Sequence, residues 1–314
     1  MKKAWMAVGI CSVVVVATIA VIFSRKNGSG AADAAPEHYS SPPARRVERT
    51  PRELSSRWQP LLDPARSREE RLEIVRGVRD GVSRMEAEDL LGLMDHRPTG
   101  AGQEEWWVIL NEIMDQLGKN GVQTTTFCDR LVELAADPSQ PEVVRDYAIQ
   151  HLSNLVAPVV PDRAEGLDDV RKLAGIKAIS AAIKDPSGSY TTVPGTGLLA
   201  LAEISSRVDR SLTQPVWKDL QSFLLPLIEG RSDAGLPVRT SAIQAVALNG
   251  EDAYLPAIRN IAGGEAVSPS LRLSSIAALG LYGRSEDVPI LERLSAAGHP
   301  YQYAAKAALA RIQR

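Results

Sequence analysis

The stretch VRTSAIQAV, residues 238–246, decides the fold because its pattern returns as LRLSSIAAL at residues 271–279, 33 positions later. An earlier copy, VRDYAIQHL, occupies residues 144–152. A later copy, QYAAKAAL at residues 302–309, follows the same pattern after a further 30 positions, with Gln in the place of Arg. Each copy places apolar and small residues at helical spacing, which predicts an α-helix.

A second helical segment alternates with the first. The sequence LPAIRNI, residues 255–261, returns as VPILERL at residues 288–294, and LPLI at residues 225–228 is a third copy. Two helical segments within a period of 30–33 residues are typical of a stacked helical solenoid. Strand signals are scarce after Pro51. We predict thirteen helices there: Ala65–Val78, Glu86–Met94, Gln103–Leu117, Thr125–Ala136, Pro141–Val156, Asp168–Ile183, Gly197–Val208, Pro215–Ile228, Pro237–Leu248, Ala253–Ala262, Pro269–Leu281, Glu286–Ala296 and Pro300–Ile312.

Two local patterns lead to further expectations. In the segment Pro269–Leu281, the residues Leu273, Ile276, Ala277 and Gly280 follow helical spacing and are expected to form one buried stripe. The stretch DPSGSYTTVPGTG, residues 185–197, interrupts the repeat spacing and is interpreted as an inserted loop. Its end could hold an anion at the start of the next helix, although it lacks the lysine of a phosphate-binding loop.

The repeated motifs resemble HEAT repeats, specifically the short bacterial kind related to the phycobilisome-lyase HEAT-like repeats. The resemblance rests on a helix that opens with Pro and Arg and continues with Ala and Ser, and it is clearest over residues 141–156 and 237–314. It implies an all-α fold, a right-handed α-solenoid of HEAT-like helix pairs over residues 52–314. It also implies that arginines such as Arg145, Arg239 and Arg272 pair with acids or carbonyls between repeats.

The amino-terminal part has a different character. Residues 4–23, AWMAVGICSVVVVATIAVIF, contain no charge. About 20 helical residues span about 30 Å, the thickness of a hydrocarbon core. We therefore predict a short tail at residues 1–3, one transmembrane helix at residues 4–23 preceding the solenoid, and a flexible linker at residues 24–51. The expected location is the bacterial inner membrane, single-pass, with the solenoid extracytoplasmic. The alternative is a secretory signal cleaved near residues 32–34.

Composition excludes several function classes. The chain of 314 residues carries 36 Lys and Arg against 38 Asp and Glu, so it lacks the basic character of a general nucleic-acid binder. Two cysteines cannot build a disulfide framework or a four-thiolate zinc site, and the four histidines are scattered. We find no metalloprotease, serine-hydrolase, phosphate-loop or haem-attachment motif. We predict neither an enzyme nor a bound metal or cofactor.

Candidate protein-binding residues come from the repeats and from the rare aromatic side chains. Recurring arginines could form a binding stripe along the solenoid, and adjacent tryptophans on one helix point about 100° apart, so one of them could be an exposed anchor. The final helix carries two tyrosines that either pack inward or mark a docking end. The candidates are Arg145, Arg239, Arg272, Trp106, Trp107, Tyr301 and Tyr303.

Three functions remain open at this stage. The first is a membrane-tethered, non-catalytic scaffold or adaptor that binds a protein partner on the solenoid surface. The second is an enzyme accessory or lyase-like repeat protein that binds a small ligand or chromophore, which requires a deep pocket with convergent polar groups. The third is a structural spacer, which would tolerate deletion of one internal repeat.

Overall fold

The structure, a computed structural model, describes residues 54–78, 81–98, 100–159, 167–185 and 192–313, all within the compact unit Arg49–Arg314. This described part contains thirteen α-helices and no β-strand. The helices are α1 (Arg68–Arg76), α2 (Arg84–Leu93), α3 (Gln103–Asn120), α4 (Thr124–Ala136), α5 (Glu142–Val156), α6 (Asp169–Lys184), α7 (Val193–Ser205), α8 (Arg210–Glu229), α9 (Leu236–Asn249), α10 (Leu255–Gly263), α11 (Pro269–Tyr282), α12 (Val288–Leu294) and α13 (Gln302–Ile312).

The helices form two layers. In the odd layer, each of α1, α3, α5, α7, α9 and α11 packs on the next odd-numbered helix. In the even layer, α4 packs on α6, α6 on α8 and α8 on α10. Each helix from α4 to α12 in the even layer also packs on the odd-layer helix that follows it in the chain. The predicted all-α helical-repeat solenoid is confirmed, and its two sequence motifs correspond to the two layers.

Local signals in the sequence explain where the helices begin and end. Ser83 and Glu86 form a capping box at α2, with the Glu86 backbone N–H 3.3 Å from Ser83 Oγ and the Ser83 backbone N–H 2.9 Å from Glu86 Oε2. Asp168 accepts the Arg171 backbone N–H at 2.8 Å at the start of α6. Gly230 ends α8 with a φ of 77°, which only glycine adopts without a Cβ penalty.

All thirteen predicted helices are present, but α7 and α8 begin earlier than expected. Helix α8 begins at Arg210 rather than Pro215, because the Asp209 side chain accepts the Ser211 backbone N–H at 2.8 Å and starts the helix there. Helix α7 begins at Val193, so Pro194 lies in its first turn. The predicted loop therefore ends before residue 193, and its last glycines serve helix packing.

Glycines allow close approach between helices in both layers. A Cβ on Gly280 in α11 would lie 2.6 Å from the Ala308 Cα in α13, and a Cβ on Gly197 in α7 would lie 2.8 Å from Ile183 Cγ1 in α6. These distances are shorter than any ordinary carbon–carbon contact. The small residues in the repeat motif therefore bring neighbouring helices together.

One side of α13, the last helix of the described part, carries polar side chains. Lys306, in α13, occupies the repeat position that Ile276 fills in α11, and it is exposed where Ile276 is fully buried. Gln302 likewise replaces Arg272. The side of α13 that corresponds to the covered side of α11 is therefore polar and exposed.

The structure corrects one part of the predicted fold class, namely the transmembrane helix. Among the residues that the structure describes, no helix combines the length and the apolar character that a membrane crossing requires. Only α3 and α8 there contain eighteen residues or more, and both carry charged side chains. Residues 4–23, like the predicted tail and linker, lie outside the described residues. We therefore remove the transmembrane helix from the fold class and withdraw the inner-membrane location with its extracytoplasmic solenoid.

The expected buried stripe on α11 is also wrong in part. Ile276 and Gly280 are buried, but Leu273 is 45% exposed and Ala277 is exposed. Helix α11 contacts α9, α10 and α13, so three of its sides are covered and only one faces outward. Leu273 and Ala277 lie on that outward side.

Candidate protein-binding surface

Exposed apolar side chains concentrate on three odd-layer helices. Nine large hydrophobic side chains are exposed in the described part of the chain, and five of them lie on α9, α11 and α13. Their exposed fractions run from 41% to 84%. Most large apolar side chains of a folded protein are covered, so a cluster on one face is a candidate binding surface. The five are Leu236, Leu248, Leu273, Leu281 and Tyr303.

The outward side of α11 presents Leu273, Ala277 and Leu281, which are four residues apart and therefore lie along one line of the helix. The repeat offsets place equivalent residues on the two neighbouring helices, and every one of these is exposed or half-exposed. The equivalents are Thr240, Gln244 and Leu248 on α9, and Tyr303, Ala307 and Arg311 on α13.

Equivalent residues on neighbouring helices lie side by side, because the helices pack close to the same register. A Cβ on Gly250, at the end of α9, would lie 3.0 Å from the Tyr282 ring of α11. Gly280 of α11 meets Ala308 of α13. The exact repeat equivalent of Gly250 is Gly283, and that of Gly280 is Ala310, so each contact lies within two residues of the equivalent position. The outward residues therefore form three rows that cross the helices.

We call this surface the trough. Its floor is Gln244, Ala277 and Ala307. One ridge is Thr240, Leu273 and Tyr303, and the other ridge is Leu248, Leu281 and Arg311. The floor of α11 and α13 ends at Cβ, whereas the leucines and the tyrosine beside it extend further, so the middle row is lower than the two outer rows on these two helices; on α9 the floor residue is the longer Gln244. Tyr303 is the most exposed of the nine large hydrophobic side chains, at 84%.

The trough carries no charge on α9 and α11. The one charged residue in each of these helices is an arginine, Arg239 or Arg272, and both turn back toward the even layer. Positive charge enters only on α13, through Lys306 and Arg311. The trough is therefore neutral over α9 and α11, apolar on α11, and cationic on α13.

The repeated arginines bind the ends of the even-layer helices. Arg239 Nε and Nη2 each donate at 3.1 Å, to the carbonyls of Leu227 and Ile228 at the end of α8. Arg272 Nε donates to the Ala262 carbonyl at 3.4 Å, at the end of α10. A cation suits these carbonyls because the last four of a helix lack intrahelical partners and carry partial negative charge.

Arg145 follows the same plan on α5 but is more deeply placed. Its Nε lies 3.3 Å from the Ala135 carbonyl at the end of α4, its Nη1 lies 2.8 Å from Asp185 Oδ2, and only 4% of the residue is exposed. The three candidate arginines are thus engaged between helices rather than presented on the surface.

The aromatic candidates are divided between core and surface. Trp106 is buried and packs edge-on against the His96 ring at a centroid distance of 4.7 Å. Trp107 is half-buried and packs against the core. Tyr301 is buried beneath the Arg272 guanidinium, 4.4 Å from its ring centroid, whereas Tyr303 is exposed. The structure brings only Tyr303 of the seven candidates onto the trough.

The leucines of the trough were missed by sequence reasoning, although a signal for them was present. Aligning α9, α11 and α13 by their 33- and 30-residue offsets places Leu248 beside Leu281, and Leu273 beside Tyr303. The same alignment places Thr240 with Leu273 and Tyr303, and Gln244 with Ala277 and Ala307. Such a mixture of polar and apolar residues in one column indicates an outward column.

Two buried ionisable groups lie deeper in the odd layer. His151 Nε2 is 2.9 Å from Asn111 Oδ1, which ties α5 to α3, and burial lowers the pKa of His151 to about 4. Burial also raises the pKa of Asp146, although the Thr192 hydroxyl donates to its carboxylate. Both groups lose hydration on burial, so both favour the neutral form. They join neighbouring repeats and lie away from the trough floor.

Two clefts open elsewhere on the surface. One, of about 340 Å³, lies between α6 and α8 and includes Lys177, Lys184 and Asp219. Lys184 Nζ is 2.5 Å from Asp219 Oδ2, so the best-placed cation is already paired. The second, of about 260 Å³, lies beside Trp217 and Tyr254. No group of three or more His, Cys, Asp and Glu suited to a metal occurs among the residues that the structure describes.

Comparisons with known proteins give little. No protein-family model matches the chain, and no curated protein matches it. Among solved structures, a designed armadillo repeat protein is similar with a TM-score of 0.40 and 18% identity, over 77% of this chain and 99% of that chain. The helical-repeat fold therefore rests on the helix contacts described above.

Proposed function

We propose that this chain is a non-catalytic, protein-binding repeat protein of the HEAT-like type, and that it holds its partner on the trough. One observation carries the proposal, namely the concentration of exposed leucines and a tyrosine on one face of the odd layer, which is uncharged over α9 and α11. Burying a half-exposed leucine contributes about 1 kcal/mol, so the four exposed leucines of this face would contribute about 4 kcal/mol to an interface, and the partner's other contacts must supply the rest.

The HEAT-like assignment is supported by what the repeated motif does. Each copy of the motif with arginine forms an odd-layer helix, and the arginine reaches the end of the preceding even-layer helix. The same residue types therefore perform the same task in three repeats. We propose the relationship to the short bacterial HEAT-like repeats on that ground.

A macromolecular ligand suits the trough better than a substrate does. The side chains on its floor and ridges offer hydrocarbon, amide and hydroxyl groups and the guanidinium of Arg311, and no acid, histidine or cysteine stands among them. Catalysis needs positioned acids, bases or nucleophiles. We therefore propose binding rather than turnover as the role of this surface.

Site-specific crosslinking tests the proposal. A photo-crosslinking amino acid is placed at Ala277 on the trough floor in the full chain, and, as a matched control, at Ala181, an exposed alanine on α6 in the even layer. We expect defined protein adducts from position 277 that position 181 does not give. The adducts should disappear when Leu273→Asp and Leu281→Asp are added, since both leucines are exposed and neither supports the core.

Identical adducts from positions 277 and 181, or adducts that survive the two aspartates, would contradict the proposal. Circular dichroism of each variant keeps a folding defect from being mistaken for lost binding.

A further inference from the structure

The width of the trough matches one α-helix. Its ridges are eight residues apart on each helix, from Leu273 to Leu281 on α11. Eight residues span about 12 Å between the Cα positions of the two ridges, and a helix with side chains is about 10–12 Å across. A helix laid across α11 and α13 therefore contacts both ridges, and Ala277 and Ala307 leave room between the ridges for its side chains to reach the floor.

The chemistry of the floor favours a helical segment over an extended one. On α11 the trough presents only Leu273, Ala277 and Leu281, none of which can hydrogen-bond. An extended segment would lay its backbone N–H and C=O groups against these hydrocarbons and would lose their hydration without replacement. A helix satisfies its backbone internally and presents only side chains.

The positive charge on α13 determines which end of the ligand is acidic. Lys306 and Arg311 are exposed on α13, and neither forms a salt bridge with another residue in the described part of the chain. The α9 and α11 portions are uncharged. An acidic residue at one end of the ligand would meet unpaired positive charge, whereas a basic residue would be repelled.

From these three observations we infer that the ligand of the trough is an amphipathic α-helix of a partner protein, with an apolar face of three to four turns and an acidic end over α13. Three helices spaced about 8–10 Å apart give a track of about 20 Å, the length of about 13 helical residues. This inference rests on the proposed protein-binding function and specifies the kind of partner.

The test uses synthetic peptides and the full chain. The first peptide, of about 16 residues, carries leucines at helical spacing and two glutamates at one end. The second is an isomer of the same composition with leucines at every second position. The third replaces the glutamates of the first by lysines. Binding is followed by fluorescence anisotropy, and peptide helicity by circular dichroism.

We expect the helical-pattern peptide to bind at least about tenfold tighter than its isomer and to gain helicity on binding. Ala277→Arg, which fills the floor, should weaken binding by about tenfold or more, whereas the matched variant Ala181→Arg should leave it within about twofold. Arg311→Glu should reverse the preference between the glutamate and lysine peptides.

The failures of the two proposals are distinguishable. If the isomer binds as tightly as the helical-pattern peptide, and Ala277→Arg abolishes both, the trough binds protein but its ligand is extended, and the inference is overturned alone. If Ala277→Arg affects neither peptide, the inference is overturned as well, and the crosslinking at position 277 decides the protein-binding function independently.

Discussion

The glycine at position 280 offers a sharp test of how closely the last repeats are packed. In an exposed helix, Gly→Ala is stabilising by up to about 1 kcal/mol, because alanine has the higher helix propensity. At Gly280 the new Cβ would lie 2.6 Å from the Ala308 Cα and 2.7 Å from its Cβ. Carbon atoms in contact prefer about 3.5–4.0 Å, so α11 and α13 must separate by about 1 Å.

The expected loss of stability depends on which atoms must move. Both clashing atoms belong to Ala308, whose backbone and Cβ have no rotamer through which to yield. Overpacking of a well-packed core costs about 1–3 kcal/mol, and this site belongs at the upper end of that range. After subtracting the propensity gain, we expect Gly280→Ala to lower the free energy of unfolding by about 1–2 kcal/mol.

Gly92 provides the matched control. It lies in α2, is exposed, and a Cβ there would meet no heavy atom within 4 Å. We expect Gly92→Ala to raise the free energy of unfolding by about 0.5–1 kcal/mol, so the same substitution has opposite signs at the two sites. Urea unfolding followed by circular dichroism measures both, since the midpoint shifts at constant slope.

Hydrogen exchange locates the effect. Because repeats couple only to their neighbours, Gly280→Ala should reduce amide protection in α12 and α13 and leave α3 to α5 unchanged. A Gly280→Ala variant as stable as the wild type, or protection lost evenly along the chain, would refute the argument that direct contact between α11 and α13 sets the cost.

Three further predictions concern buried groups. Burial lowers the pKa of His151 to about 4, so the unfolded chain binds the proton more tightly. The free energy of unfolding should therefore fall by roughly 1 kcal/mol per pH unit as the pH drops from about 6.5 toward 4, and His151→Gln should flatten that slope in urea titrations. Arg239→Met should lower the free energy of unfolding by about 2 kcal/mol in thermal or urea melts, because two carbonyls of α8 lose a charged donor. The control Arg231→Met removes an exposed ion pair with Glu229 and should cost less than about 0.5 kcal/mol. Burial raises the pKa of Cys128 to about 11, so a thiol reagent at pH 8 should label it only in denaturant, and labelling of the native protein seen by peptide mapping would contradict this.

The layers of the fold could be predicted because each repeat carries its own helix signals. The helix that contains residues 238–246 is covered on three sides, whereas the helix that contains residues 255–261 packs with a narrower face. The two motifs therefore differ in composition. The predicted first residue of a helix was wrong where a side-chain cap outside the motif starts the helix earlier, as Asp209 does before α8. Proline at position 215 suggested a first turn, but it lies inside the helix.

The trough could not be predicted from helical spacing alone. Helix α11 is apolar around most of its circumference, so its periodicity does not separate Leu273, which is exposed, from Ile276, which is fully buried. Exposure there depends on which sides the neighbouring helices cover. The arginines failed as surface candidates for a related reason, because their spacing shows that they recur but not toward which layer they point.

The floor of the trough has one further consequence, for how this protein can acquire new specificities. Aligning residues 193–201 and 144–152 with residues 238–246 places Leu199 on α7, which is half-exposed, and Gln150 on α5, which is exposed, at the position of the floor residue Gln244. Each odd-layer helix thus contributes one floor residue, and these residues change from amides on α5 and α9 to hydrocarbons on α7, α11 and α13. Because these positions do not enter the core, a substitution at one of them should leave the stability of the stack nearly unchanged, and on the proposed function it changes one contact with the partner. Variation and engineering can therefore proceed repeat by repeat.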